Sequence, residues 1–217
     1  VVAVGTGQAL RNAARCDGDI VIVHDRDAEL AFVEAGHGLA RHDLMYNDFI
    51  LIGPRNDPAK LRGARDIQTA MRLIAKSQAR FVSRSDDSGT YRKEVVLWAQ
   101  AGIDPLPHSG TWYLETGAGM GTTINTGLGL QAYVLTDRAT WVSFGNKLDY
   151  EILFEGDPEL HNQYGIIAVN PAKCPQVRAQ EAAVFVDWMR SERGQAAIAS
   201  YRRDGEELFF PNANRQP

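Results

Sequence analysis

Long apolar runs are missing from this sequence of 217 residues. The longest, such as Ile20-Val21-Ile22-Val23, are strand-sized, far short of the ~20 residues needed to cross a bilayer. A basic excess is missing too: the formal charge is −4 and the pI is near 5.7, with no stripe of Lys and Arg to neutralise phosphates, so a nucleic-acid partner is excluded. Cysteine is scarce. Cys16 and Cys174 are too few for a disulfide scaffold and are not spaced as a zinc site, which leaves one bridge or two buried thiols. The sequence starts at Val1 without a charged segment followed by an apolar one, so no targeting information is read in it. Nor is there a repeat or a low-complexity tract. What is present, 44% hydrophobic and 23% charged residues, is enough to bury a core as one large domain or two small lobes.

Short β-branched runs alternate with helical patterns from end to end, which predicts an α/β protein with mainly parallel strands. Strands are expected at residues 1–4, 19–24, 49–52, 80–83, 132–135, 151–154 and 165–169. Several are continuous apolar runs, as in strands covered on both faces. Ile67, Ala70, Met71 and Ile74 fall at helical spacing over 66–76. A second helix is expected over 88–101, packing through Val95, Val96, Leu97 and Trp98 and ended by Gly102. Others are expected over 179–190 and 192–201. In open α/β sheets ligands bind at the carboxyl ends of strands. That directs attention to four strand-to-helix turns, at Gly5-Thr6-Gly7, Ser85 to Thr90, Gly117 to Thr123, and Thr136-Asp137-Arg138.

The second of these has the most chemistry. A strand ending at Ser83 leads through a polar turn to Ser88, Gly89 and Thr90, where a hydroxyl caps the next helix and free backbone N–H groups and a positive dipole end face outward. Arg84 adds a planar cation suited to an oxyanion. The competing reading is a helix cap with a surface arginine paired to Asp86 or Asp87. Gly117-Ala118-Gly119-Met120-Gly121-Thr122-Thr123 is a glycine-rich turn running into a helix. Its glycines let a ligand approach the backbone and its threonines offer hydroxyls, but its spacing matches neither the phosphate-loop nor the dinucleotide fingerprint. Thr6 and Thr136 repeat the pattern, although either can be a simple cap.

Catalytic and metal readings find less support. His24-Asp25 with Asp27, and His42-Asp43, have no second His at i+4 and no Cys/His cluster beside them, and read as polar loop residues. Ser88 lacks the glycine two positions before it that a nucleophile elbow needs. No catalytic residue, metal ligand or cofactor is assigned.

Taken in order, Val4 to Leu10, Val23-His24-Asp25, Met45 to Phe49, Phe81 to Thr90, Trp112 to Glu115, Gly119-Met120-Gly121, Leu135 to Arg138 and Glu155-Gly156-Asp157 resemble the tungstate-binding proteins of ABC transporters. The resemblance runs over nearly the whole chain. Ser191-Glu192-Arg193-Gly194-Gln195 is similar to a C-terminal helix motif of periplasmic binding proteins. The resemblance implies a two-lobed periplasmic-binding-protein fold of type II, each lobe a mainly parallel sheet flanked by helices, that traps tungstate or molybdate between the lobes without metal or cofactor. It further implies an extracytoplasmic monomer, periplasmic or extracellular, that serves a membrane permease. The family's serine–arginine turn maps onto Ser83 and Arg84, with Ser88, Gly89 and Thr90 following; Ser85 stands where a glycine is frequent. The ligand-binding set expected is Thr6, Ser83, Arg84, Ser88, Gly89, Thr90, Gly119, Gly121, Thr122 and Thr136. In that family a strand ending in a threonine- and serine-rich turn precedes the equivalent of residues 1–4, and the sequence begins after it. Lobe one is expected at 1–50 and 168–217 and lobe two at 51–167. The rival readings are a binder of molybdate or another tetrahedral oxyanion, the ligand-sensing domain of a regulator, which would normally bring a helix-turn-helix, and an enzyme built on the same fold.

Overall fold

The computed structural model describes residues 1–203 and 205–213. In chain order the elements are α1 (Thr6–Ala14), β1 (Ile20–Val23), α2 (Arg26–Glu34), β2 (Gly38–Pro54), α3 (Ile67–Ser77), β3 (Phe81–Ser83), α4 (Gly89–Gln100), β4 (Tyr113–Glu115) and α5 (Met120–Leu130). Then come β5 (Val134–Asp137), α6 (Arg138–Ser143), β6 (Tyr150–Phe154), β7 (His161–Val169), α7 (Ala179–Arg190), α8 (Glu192–Ser200), β8 (Arg202–Arg203), β9 (Glu206–Glu207) and β10 (Phe210–Pro211). They form two compact units, Val1–Asn47 with Asn162–Pro217, and Asp48–His161. The chain passes between them within β2 and within β7, a few residues ahead of the crossings expected at 50/51 and 167/168.

In the first unit the strand order is β1-β7-β2-β10, with Ile20 opposite Ala168 and Phe210 opposite Tyr46, both pairs antiparallel. Side chains alternate across the sheet. Ile167 and Val169 pack with Ala13, Val21, Val23 and Phe32 on one face, while Ile166 packs with Leu44 and Val186 in a separate cluster. Cys16 and Cys174 form a disulfide with Cα atoms 5.4 Å apart, which resolves the alternative left open by the sequence in favour of the bridge. Residues 1–4, expected as a strand, are in none: they lie ahead of α1 with Val1, Val2 and Val4 exposed. A β-branched run becomes a strand only where a neighbouring strand takes up its hydrogen bonds.

The second unit is one continuous stretch of chain. The later part of β2 pairs antiparallel with β5 (Ile50 opposite Thr136) and with β6 (Ile52 opposite Ile152). β3 and β4 are parallel. Residues entering β5 join β3 through Tyr133, whose N–H donates to Arg80 O at 2.8 Å and whose O accepts from Val82 N–H at 2.9 Å. Phe49 and Leu51 point into a cluster with Phe81, Trp98, Tyr113 and Tyr133, and Ile50 and Ile52 into another with Ile124, Leu128, Val134 and Trp141. The run 49–52 is therefore covered on both faces. The α/β class holds, but the expected predominance of parallel pairing does not: β1, β5, β6 and β10 all pair antiparallel with β2 or β7. An apolar run reports that both faces are buried, not which way the neighbours run.

α3 buries Ile67, Ala70, Met71 and Ile74 as its periodicity predicts, and Asp66 caps it by accepting from Thr69 N–H at 2.7 Å. α4 is a correction. Leu97 and Trp98 are buried, but Val95 and Val96 are exposed, and the inward face is Glu94, Leu97, Trp98 and Ala101. That is the i, i+3, i+4, i+7 stripe, and it carries a carboxylate in its first position.

Candidate functional site

Parallel strands β3 and β4 end side by side, and each feeds a helix, so the N-termini of α4 and α5 open at the same end of the second unit's sheet. The two turns are stitched together. Thr116, just past β4, donates its N–H to Ser83 O at 3.0 Å and its hydroxyl to the same oxygen at 3.1 Å, and it shares a 2.9 Å hydrogen bond with Thr123 Oγ1. α5 is held against β5 by Gly127, where a Cβ would stand 2.4 Å from Val134 Cγ2. Only glycine permits that approach.

Around β3 the sequence dictates a tight polar turn. Ser85 has φ +47, the left-handed region that favours glycine, and its hydroxyl donates to Glu115 at 2.8 Å. Ser88 caps α4, accepting from Tyr91 N–H at 3.2 Å while donating to Asp86. Gly89 and Thr90 form the buried first turn. Arg84 donates from Nη2 to Asp86 Oδ2 at 2.6 Å, the pairing the competing reading expects. It is not a surface arginine, however. Its side chain is only 15% exposed, and its Nε is buried without a hydrogen-bond partner among the described residues. A buried unpaired donor on a guanidinium is costly, and an acceptor arriving there removes the cost.

Gly119 and Gly121 are exposed, and a Cβ at either would meet nothing within 4 Å, so here the glycines leave room rather than relieve crowding. Gly119 caps α5 with no side-chain hydrogen bond to the helix. Thr122 is exposed, whereas Thr123 is buried and engaged with Thr116, Ala118 O and Gly119 O. Thr136 is buried at the end of β5. It does not cap α6, because Asp137 does so by accepting from Thr140 N–H at 2.8 Å. In the first unit Thr6 opens α1 after Gly5; it is buried and its Oγ1 has no hydrogen-bond partner among the described residues. The histidine segments have structural partners: Asp25 caps α2 through Ala28 N–H, His24 Nδ1 lies 2.9 Å from Asn162 Oδ1, and Asp43 pairs with Arg41. Among the described residues no three His, Cys, Asp or Glu side chains gather as a metal site.

The residue that sequence reasoning missed is Glu94. It is buried beneath the turn, with Oε2 accepting from Ser83 Oγ at 2.8 Å and Oε1 from Tyr113 OH at 2.8 Å and Trp98 Nε1 at 3.3 Å. Burial raises its pKa to about 7, against the three hydrogen bonds, which lower it. Glu115 at the edge of the turn goes the other way, held below its usual value by hydrogen bonds from Ser109 and Ser85. Sequence held one clue to Glu94, a charged residue on the inward stripe of an otherwise apolar helix face.

These features define a class: an α/β protein of two compact units with hydroxyls, helix N-termini and an unsatisfied arginine at the carboxyl ends of strands. Residues 1–193 match the PBP superfamily domain. A tungstate-binding protein, TupA, of Peptoclostridium acidaminophilum is 45% identical over 98% of this chain and 75% of its own length. The solved tungstate-binding protein TupA of Desulfovibrio alaskensis is 46% identical, with a TM-score of 0.83 over 98% of this chain and 86% of that one. A solved tungstate ABC transporter protein of Geobacter sulfurreducens is also 46% identical, with a TM-score of 0.84 over 93% of this chain and 84% of that one. The chain belongs to the tungstate-binding-protein family of the PBP superfamily.

Proposed function

We propose that this chain is the substrate-binding component of an ABC uptake system for tungstate, with molybdate its nearest competitor, and that it is a binding protein rather than an enzyme. In this reading it acts as a monomer on the outer side of the membrane, takes no metal or cofactor, and hands its anion to a permease. Among the described residues no helix is long and apolar enough to cross a membrane. The two compact units are proposed as the family's two lobes. The second unit contributes Arg84 from the turn after β3, Ser88, Gly89 and Thr90 at the start of α4, and Gly119, Gly121 and Thr122 at the start of α5. Thr136 lies at the end of β5, Ser83 anchors the turn, and Thr6 opens α1 in the first unit.

The observation that carries this reading is the buried, unpartnered Nε of Arg84 beside a helix N-terminus. Donors of this kind suit a tetrahedral dianion, which accepts at every oxygen and donates at none. Phosphate at neutral pH carries a proton that donors cannot receive, and sulfate is a smaller tetrahedron whose oxygens cannot all reach donors spaced for a larger ion. Calorimetric titration should therefore give tungstate and molybdate far tighter binding than sulfate or phosphate. A charge-assisted contact is worth about 1.5–3 kcal/mol, so Arg84→Ala should raise the dissociation constant by roughly one to two orders of magnitude. Arg84→Lys should recover only part, keeping charge but losing the planar fork. Unchanged tungstate affinity in folded Arg84→Ala protein would remove the site from this turn.

A further inference from the structure

Ser83 has one hydroxyl hydrogen, and it is committed. The hydroxyl donates to Glu94 Oε2 at 2.8 Å and accepts from Ser85 N–H at 3.1 Å, so in this state Ser83 offers an incoming anion a lone pair rather than a donor. Glu94 is in turn an acceptor to three neutral donors, Ser83, Tyr113 and Trp98, and lies buried with no cation among the described residues bonded to it. From β4 it faces the Tyr113 hydroxyl and the like charge of Glu115. From β3 it faces Ser83, and from its own helix Trp98; Tyr91 acts on the neighbouring Tyr113. α3 and β5, which also pack on α4, contribute Ile67, Ala70, Met71, Ile74 and Leu135 to the shared apolar core. In the turn itself the Arg84 guanidinium is paired with Asp86.

A dianion arriving at this turn adds negative charge next to a buried carboxylate, and the two disfavour each other unless one is neutralised. Resting on the oxyanion reading above, we propose that anion binding is coupled to the uptake of one proton from solvent by Glu94, which reverses the Ser83–Glu94 hydrogen bond and releases the Ser83 hydroxyl hydrogen to the anion. The protonated Glu94 becomes the donor and Ser83 Oγ the acceptor. The Ser85 N–H bond stays in place, and the freed hydrogen turns outward. Burial already holds the Glu94 carboxyl at about pH 7, so the proton is available without acid conditions.

Tungstate is the probe, used between pH 7 and 9 where it remains a dianion. Titration calorimetry of the full chain in buffers of different ionisation enthalpy counts protons taken up per anion bound. The parent should take up close to one proton at pH 8, and its dissociation constant should rise by up to about tenfold per pH unit above pH 7. Glu94→Gln places an amide N–H where the carboxyl proton goes. It should take up no proton, lose the pH dependence, and bind about tenfold more tightly than the parent at pH 8. Infrared difference spectra of the parent should gain a protonated-carboxyl band when tungstate is added, a readout that does not depend on the variant folding. Binding by the parent with no proton uptake and no such band overturns the proposal and leaves the oxyanion reading intact, as does equal uptake by Glu94→Gln. Absence of any tungstate binding by the parent overturns both.

Discussion

The two units solve the problem of stability differently. The second is one continuous stretch of chain, and its core is dense with large rings: Phe81 meets Trp98 edge-on at 5.2 Å, and Trp112 and Tyr113 pack beside them. That core also surrounds satisfied polar groups, among them Glu94 and the Tyr133 hydroxyl, which donates to Asp57 and accepts from Ala59 N–H. The first unit is assembled from two segments separated by the whole of the second, and its apolar clusters are smaller. It carries a covalent bridge between those segments instead, Cys16 to Cys174 across a sequence separation of 158. Chain continuity and a covalent link are alternative ways of limiting the freedom of the unfolded state. The unit that has the first holds its buried polar groups by packing and hydrogen bonds, without a covalent link.

The largest effect expected from this contrast is loss of the bridge. Closing so long a loop is worth about 3–5 kcal/mol in the chain-entropy account. The double substitution Cys16→Ser with Cys174→Ser should lower the melting temperature by several degrees, and hydrogen exchange should show β1, α1 and β7 losing protection before α3 and α4 do. Uniform loss of protection in both units would break the comparison, because the bridge would then not serve the first unit in particular.

The second unit is tested through its buried carboxylate. Glu94 has a folded pKa of about 7, raised from its usual 4.5 mainly by burial. Its neutral form is therefore favoured in the folded protein, and the contribution is present in full below about pH 4.5 and lost as pH rises to about 7. The span corresponds to roughly 3 kcal/mol. Denaturant unfolding at pH 5 and pH 8 should show the stability of the parent falling relative to Glu94→Gln over that interval. A parallel pH dependence in the two proteins would mean that Glu94 is ionised without penalty.

How much of this was legible beforehand depended on what each residue reveals locally. The α3 stripe, the Ser88 cap and the Ser83–Arg84 turn could be read because periodicity and capping act over a few residues. Residues 1–4 misled because β-branched composition says nothing about a pairing partner. Strand direction was hidden for a similar reason, since apolar content is blind to it. Val95 and Val96 read as core because four apolar residues stand in a row, when only two of any four consecutive helix positions face inward. Thr136 looked like a cap, and its neighbour Asp137 took the role. Glu94 escaped because its partners Ser83 and Tyr113 come from other elements, and only the folded chain brings three donors onto one carboxylate. Arg84 was visible as a candidate, but its unpaired Nε is a property of packing.

The smallest effect lies at the same seam that the disulfide closes. Asp19, at the entry to β1, accepts from the Arg178 backbone N–H at 2.8 Å and from its guanidinium Nη2 at 2.9 Å, joining the two segments of the first unit a few residues from Cys16 and Cys174. These bonds lower the pKa of Asp19, the backbone contact first. The contribution is therefore present above the usual carboxylate range and lost as pH falls through the lowered value. Arg178 is 75% exposed, so solvent screens the pair and both side chains give up freedom to hold it. Pairs of this kind are worth about 0–1 kcal/mol. Asp19→Ala should cost less than about 1 kcal/mol at neutral pH by urea unfolding, and less still in high salt, since exposed charges are screened over about a Debye length. A cost equal to that of removing the bridge would mean that the seam of the first unit is held by its polar contacts, and that the covalent link follows the fold instead of securing it.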